Sequence, residues 1–323
     1  MCDVGRVVGD CPRPVTAGVD KEGTSPLRFA VGSILISIVV LGLKYLAYVL
    51  TGSVALLSDA IESIINVVTA VGALLAIRIS AEPADDDHPY GHAKAEYLSA
   101  GLEGLLIIVA ALAILREAWA ASHSLHAPAM PALGLGVSAG ATVLNGLWSW
   151  VVISIGRARR SPALIADGMH LLTDVWTSGG VIAGVLLVAL TGWLPLDPLL
   201  AALIALNIVW SGCTLIRDSV DGLMDGALPE EQLAPIEQTI TANLEGAIEA
   251  HSLRSRQAGH MVFIDFHLIV DRRMTVEHSH AICDRIEAAL RRHHPHSLVS
   301  IHVEPDDKRR DGAMRIARTA MSE

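Results

Sequence analysis

The amino-acid sequence predicts a polytopic α-helical membrane protein: six transmembrane helices, then a small α+β domain on the cytoplasmic side. Three observations predict it. Of 323 residues, 52% are hydrophobic and 18% charged, with a mean hydropathy of +0.47, whereas ordinary soluble domains carry about 25% charged residues. From Leu27 onward, long apolar segments alternate with short polar breaks, and from residue 223 the composition returns to that of a soluble domain. The net charge of −10 excludes the basic face that nucleic-acid binding requires.

Residues 1–26 read as a flexible cytoplasmic tail containing Pro12, Pro14 and Gly18. No short apolar core followed by small residues occurs in it, so no secretory signal is expected. Cys2 and Cys11 sit here as two unpaired thiols or a metal-binding pair. With Cys213 and Cys283 they are too scattered for a disulfide framework or a zinc ribbon.

The transmembrane domain spans 27–222, with helices expected over 27–50, 53–79, 95–117, 131–156, 162–190 and 196–219. Each approaches the ~20 residues that a bilayer core requires. Arg13, Lys21 and Arg28 precede the first helix, Arg78 and Lys94 flank the second loop, and Arg157, Arg159 and Arg160 fill the fourth. The first, third and fifth loops carry no Lys or Arg. By the positive-inside rule both termini are cytoplasmic.

The C-terminal domain spans 223–305. A helix over Pro229–Leu244 is followed by strands Ile248–Gln257 and Met261–Asp271, a helix Val276–Arg291 and a strand Leu298–Val303. That order predicts a small open α+β sandwich. Residues 306–323 are charged and expected to fray. Nine of the fourteen histidines fall at or after His251.

An internal repeat carries the chemistry. The segment from Ser53 to Asn66 recurs from Ser161 to Asp174 at an offset of 108 residues: Asp59 matches Asp167, Glu62 matches His170, and Asn66 matches Asp174. Thr69 with Thr177 and Gly72 with Gly180 extend the match. Such repeats are common in transporter folds, with the substrate site where they meet. Within each repeat the last two polar positions are four apart and stack on one helix face. Glu62 and Asn66 from the second helix, facing His170 and Asp174 from the fifth, supply four O/N donors, enough for a tetrahedral metal site. Charged residues at membrane depth cost about 2.5–3.5 kcal/mol each on insertion scales, which favours a functional role over plain interhelical hydrogen bonding. Asp59 and Asp167, one turn earlier, support these ligands, bond the bundle together or line a cytoplasmic access path; support is the favoured reading.

The loop after the second helix reads Asp85-Asp86-Asp87-His88-Pro89-Tyr90-Gly91-His92-Ala93-Lys94. Asp85, His88 and His92 offer a carboxylate and two imidazoles suited to a divalent transition metal, or a solvated turn. The spacing is not that of a zinc protease, because the Glu is missing and Pro89-Tyr90-Gly91 is turn-like.

The six-helix layout, the duplicated pair, the DxxHPYGHxK loop and the histidine-rich C-terminal domain together resemble the cation diffusion facilitator family over roughly Leu27 to Pro305. The resemblance implies a proton-coupled antiporter that exports a divalent metal across the plasma (inner) membrane, typically as a homodimer, with a metallochaperone-like, ferredoxin-like C-terminal domain. It implies no cofactor, the metal (Zn²⁺ foremost) acting as substrate and regulator. It places the transport site at Glu62, Asn66, His170 and Asp174 and a second site at Asp85, His88 and His92. Further ligands are implied at His251, His267, His280, His302 and Glu304, and a charge pair between Lys94 and Asp225. Departures are Glu62 and Asn66, where well-known zinc exporters carry Asp or His followed by Asp, and Glu304 in place of Asp. Asn66 removes one formal charge, which leaves Fe²⁺, Co²⁺, Ni²⁺ and Cd²⁺ open beside Zn²⁺. His278 lies beside His280 as a substitute or spare, and His260, His293, His294 and His296 match no motif.

His170 must be neutral to ligate, so metal binding and protonation compete. Metal binds from the cytoplasm, the bundle tilts, and protonation of His170 and Asp174 outside ejects it. Gly101, Gly104, Gly179, Gly180 and Gly184 are expected to allow close helix approach for this motion. A membrane metalloenzyme is disfavoured because four ligands leave no position for an activated water. A membrane-anchored metal sensor would not need a duplicated ionisable motif.

Overall fold

The computed structural model describes residues 26–51, 54–123 and 132–314, except for the side chains of 51, 54–59, 62, 132–135, 181, 185, 186, 189 and 197. The expected N-terminal tail with Cys2 and Cys11, the last nine residues (315–323), and the side chains of Asp59 and Glu62 lie outside the described residues.

Six long helices come first: α1 Pro26–Thr51, α2 Val54–Ser80, α3 Ala95–His123, α4 Ala132–Arg159, α5 Pro162–Thr191 and α6 Leu196–Leu223. Among the described residues, the segments within α1, α2, α3, α4 and α6 are long and apolar enough to cross a membrane; α5 is 30 residues long and carries the acidic and imidazole side chains of the second repeat. Two helices outrun their apolar stretch. α3 continues past Arg116 and Glu117 to His123, because charged residues end a hydrophobic run without ending a helix. The Ser122 hydroxyl and His123 Nδ1 turn back to the Trp119 carbonyl at 2.7 and 2.8 Å. α6 likewise runs through Arg217 and Asp218.

This bundle is apolar outside and polar inside, as lipid demands. Leu35, Leu46, Trp150 and Trp210 are exposed, whereas Ser33, Lys44, Asn66, Asn145, Asp167, His170 and Asp174 are buried. Helices pair as α1 with α2, α4 with α5, α1 with α4, and α3 with α5. Small residues permit the approach: Ala30, Ala73, Ala76 and Ala163 pack with Ile77, Val152 and Leu164 at one junction. At the α3–α6 crossing, a Cβ on Gly104 would stand 3.1 Å from the Gly212 carbonyl, and one on Gly212 3.0 Å from that of Gly104. Gly180 abuts Ile204, and Gly101 makes an ordinary contact with Ser219. Gly179 faces open space, so its expected part in close packing is not found.

The chain divides into two compact units, Met1–Ser219 and Val220–Glu323. The second contains α7 Glu230–Ala242, β1 Glu249–Ala258, β2 Met261–Val270, α8 Val276–His293, β3 Ser297–Pro305 and a short 3₁₀ turn. Its sheet has the order β1-β2-β3, with β1 antiparallel and β3 parallel to β2. β3 outruns its expected length because it pairs with β2 from Ser297 to Pro305. The core joins Ile236, Ile240 and Leu244 to Ile264, Phe266 and Leu268 of the sheet and Ile282, Ile286 and Leu290 of α8. α8 starts on Thr275, whose hydroxyl accepts from the His278 N–H, and ends in Arg291, Arg292 and His293, which suits the helix dipole.

Candidate metal centres

Three donor clusters lie where the sequence points, and the structure groups them unequally. The first is in the bundle. α5 begins on Ser161, whose hydroxyl accepts from the Leu164 N–H at 3.4 Å and donates to Glu96 of α3. Ser80, at the end of α2, donates to the other Glu96 oxygen at 2.8 Å. One buried carboxylate thus ties α2, α3 and α5 together at one end of the bundle. Some two turns along α5, His170 Nε2 donates to Asn66 Oδ1 at 3.0 Å. Repeat symmetry survives in the backbone: Thr69 donates to the Asn66 carbonyl at 3.1 Å, and its counterpart Thr177 to the Asp174 carbonyl at 3.0 Å. The same threonine-to-carbonyl bond thus recurs at matched positions of the two repeats.

Asn66 and His170 therefore meet, buried to 2% and 7% exposure. Asn66 Nδ2 and His170 Nδ1 find no hydrogen-bond partner among the described residues. Asp174 is held differently. It accepts from Lys44 Nζ of α1 at 2.9 and 3.0 Å and from Asn145 Nδ2 of α4. Lys44 and Asn145 were not among the expected site residues, although a lone Lys or Asn inside an apolar helix is itself the signal. Asp167 is buried with neither carboxylate oxygen hydrogen-bonded among the described residues, and Glu103 of α3 is in the same state. Among the described residues no hydrogen bond joins Asp167 to Asn66 or His170; the polar side chain that acts on its carboxyl is Ser33 of α1.

The second cluster is the loop. Asp85 Oδ1 lies 3.4 Å from His88 Nδ1, and Asp85 Oδ2 lies 3.4 Å from His92 Nε2. The two imidazoles approach to 3.1 Å, so one ligand atom from each of the three residues falls within 4.8 Å of the others. The turn is closed by the His88 N–H donating to Asp85 Oδ1 at 2.6 Å and by Gly91, whose φ of 82° favours glycine. That backbone donation, with the neighbouring His92 and His88 rings adding to it, lowers the Asp85 carboxyl from its ordinary value. A deprotonated, acceptor-only Asp85 beside two imidazoles is a divalent-metal donor set.

The third cluster is in the C-terminal unit. Register aligns His251, His267 and His302 across β1, β2 and β3. Glu304 Oε2 lies 3.4 Å from His251 Nε2 and 3.3 Å from His267 Nδ1, and these three form the second compact ligand group. Both ring nitrogens of His251, together with His267 Nδ1, lack hydrogen-bond partners among the described residues. One buried imidazole, His251, and one half-buried one, His267, both facing a carboxylate with ring nitrogens unpartnered, fit a divalent metal. His302 stands at the rim, 3.7 Å from Glu304 Oε1. His280 does not join the group: it is exposed on α8 and pairs with Asp284 one turn on, at 3.6 Å. Glu249 lies two residues before His251 on β1, hence on the same strand face; it is buried 3.5 Å from His251 Nδ1 and accepts from the Arg310 N–H at 2.7 Å. His260 and His296 meet edge to face, and burial lowers the His260 pKa. At the start of this unit Asp225, with a φ of 60°, takes Arg256 at 2.8 Å.

The transmembrane unit matches the cation efflux transmembrane domain over residues 30–224, and the second unit matches the cytoplasmic domain of cation efflux proteins over 228–306. An uncharacterized transporter of Synechocystis sp. is 43% identical over 86% of this chain and 89% of its own length. The cation-efflux pump FieF of Klebsiella pneumoniae is 31% identical over 86% of this chain and 92% of its own. Among solved structures, the zinc transporter CzrB in its zinc form shares 38% identity over 26% of this chain and 96% of that one, at a TM-score of 0.25. A membrane domain and a cytoplasmic domain that both match, in the same order and over nearly the whole described chain, make it a member of the cation efflux, or cation diffusion facilitator, family.

Proposed function

We propose that the chain exports a divalent transition metal, Zn²⁺ foremost, from the cytoplasm in exchange for protons, by alternating access at a tetrahedral site formed by Glu62, Asn66, His170 and Asp174. The observation that carries this reading is the buried meeting of Asn66 with His170, one residue from each copy of the repeat, with Asp174 one turn further along α5. Neutral imidazole and the amide oxygen are metal donors, and a protonated imidazole is not, so proton and metal exclude each other at His170. The site supplies two carboxylates, Glu62 and Asp174, for the two charges of the cargo, and Asp59 and Asp167 stand one turn before the ligand pairs on their helices, placed to act on the site through an intervening group.

On this reading Asp85, His88 and His92 collect metal at the cytoplasmic mouth. His251, His267 and Glu304, flanked by Glu249 and His302, would hold a regulatory metal, whose chemistry there is neutralisation of the clustered carboxylates. Both termini are cytoplasmic, the membrane is the plasma (inner) membrane, and the working form is a homodimer. Metal flux into sealed vesicles under a pH gradient tests the proposal. His170→Ala and Asp174→Ala should each lower Zn²⁺ flux by at least about a hundredfold, as expected when a buried ligand is lost; wild-type flux in either variant overturns it.

A further inference from the structure

One buried charge in the bundle has no part in the metal chemistry described so far. Lys44 lies on α1 with 0% of its side chain exposed, and its ammonium contacts both oxygens of the Asp174 carboxylate, at 2.9 and 3.0 Å. An ammonium inside a membrane helix persists only with a partner, and here the partner is the anionic donor assigned to the transported metal. Asn145 adds an amide donor to the same carboxylate, so both Asp174 oxygens are engaged by donors from α1 and α4. A metal ion on that carboxylate would sit about 2 Å from an oxygen, on the face that Lys44 and Asn145 occupy. A dication and an ammonium cannot share it without strong repulsion.

Resting on the transport-site reading above, we propose that Lys44 is a tethered counter-ion of the transport site. Its ammonium neutralises Asp174 while the site is empty, must withdraw from the carboxylate when the metal binds, and returns to it when the metal leaves. Lys44 is thus a specificity-determining residue: it weakens metal affinity and favours release, acting through Asp174 without touching the cargo. The charge count agrees. With Asn66 neutral, the ionisable ligands supply two negative charges and Lys44 cancels one, so the empty site carries −1 instead of −2. A lysine serving only to hold α1 against α5 would change stability and leave the metal dependence of flux unaltered, which separates the two roles.

The test compares wild type, Lys44→Met, Lys44→Arg and Asp174→Ala as full-length protein, by Zn²⁺ flux into sealed vesicles and by thermal unfolding in chelator and in Zn²⁺. Lys44→Met should reach half-maximal flux at a Zn²⁺ concentration at least about tenfold lower than wild type, as removal of an adjacent like charge implies, with a lower maximal rate. It should also unfold earlier than wild type in chelator and gain more from added Zn²⁺. Lys44→Arg, which keeps the charge, should remain within about twofold of wild-type half-saturation. Unchanged half-saturation in Lys44→Met, with Asp174→Ala inactive, overturns the counter-ion role and leaves the transport site standing. Wild-type flux in Asp174→Ala overturns the site itself. If Lys44→Met accumulates only when expressed and purified with Zn²⁺, the metal has replaced the ammonium and the proposal holds; if Zn²⁺ does not recover it, the proposal fails.

Discussion

Asn66 is the residue at which this bundle departs from the charge pattern of well-known zinc exporters, and its contact shows what the departure does. Its amide oxygen already accepts from His170 Nε2 at 3.0 Å, so an amide here holds the imidazole by a neutral hydrogen bond. A carboxylate at the same place would make a charge-assisted bond of about twice the strength and add a formal negative charge to a low-dielectric site. Asn66→Asp should therefore lower the Zn²⁺ concentration for half-maximal flux by about tenfold and change the order of preference among Zn²⁺, Fe²⁺, Co²⁺, Ni²⁺ and Cd²⁺. Competition between metals in the same vesicles measures both. An unaltered order would break the link between the missing carboxylate and metal choice.

At the scale of elements, the site depends on how α5 is started and anchored. Ser161 caps the helix through Leu164, and the same hydroxyl bonds Glu96, which also receives Ser80 from α2. Losing an N-cap hydroxyl costs about 1 kcal/mol, and a buried carboxylate deprived of one partner adds about 1–3 kcal/mol. Ser161→Ala should thus destabilise the bundle by roughly 2–4 kcal/mol, seen as earlier thermal unfolding in detergent, and reduce Zn²⁺ flux while leaving the Zn²⁺ concentration for half-maximal flux near wild type. A large change in that concentration instead would mean that Ser161 acts on the ligands and not on the helix. The element order was legible in the sequence because apolar length and strand alternation are local properties. The paired repeat was legible because Asp59, Glu62 and Asn66 reappear at one fixed offset as Asp167, His170 and Asp174. The partners of those residues were not. Whether Asp174 turns to a metal ligand or to Lys44 on α1 depends on how α1, α4 and α5 pack, a long-range matter that helix periodicity does not contain. His280, implied as a ligand by the resemblance, pairs within this chain with Asp284 on α8. Glu249 was legible although not among the expected ligands, because it stands two residues before His251 on one strand and shares its face.

For the molecule as a whole, two compact units each carry a three-residue candidate donor cluster of their own, and this separation makes metal stoichiometry a usable readout. In the C-terminal unit Glu304 is the shared carboxylate: His251 Nε2 and His267 Nδ1 both point to its Oε2, at 3.4 and 3.3 Å. Removing that charge leaves two imidazoles with no anion between them, a much weaker divalent site. Because the proposed bundle ligands belong to the other unit, their affinity should be untouched if the two sites share no partners. Equilibrium dialysis of full-length Glu304→Gln against Zn²⁺ should therefore show about one fewer tightly bound ion per chain, with flux at saturating Zn²⁺ within about twofold of wild type. Flux at low cytoplasmic Zn²⁺ should lose its increase with added metal if the C-terminal site regulates the bundle. A Glu304→Gln protein that binds the full complement of Zn²⁺ would show that His251, His267 and Glu304 are an ordinary hydrogen-bonding cluster, and a protein that loses flux at saturating Zn²⁺ would show that the two units do not act independently.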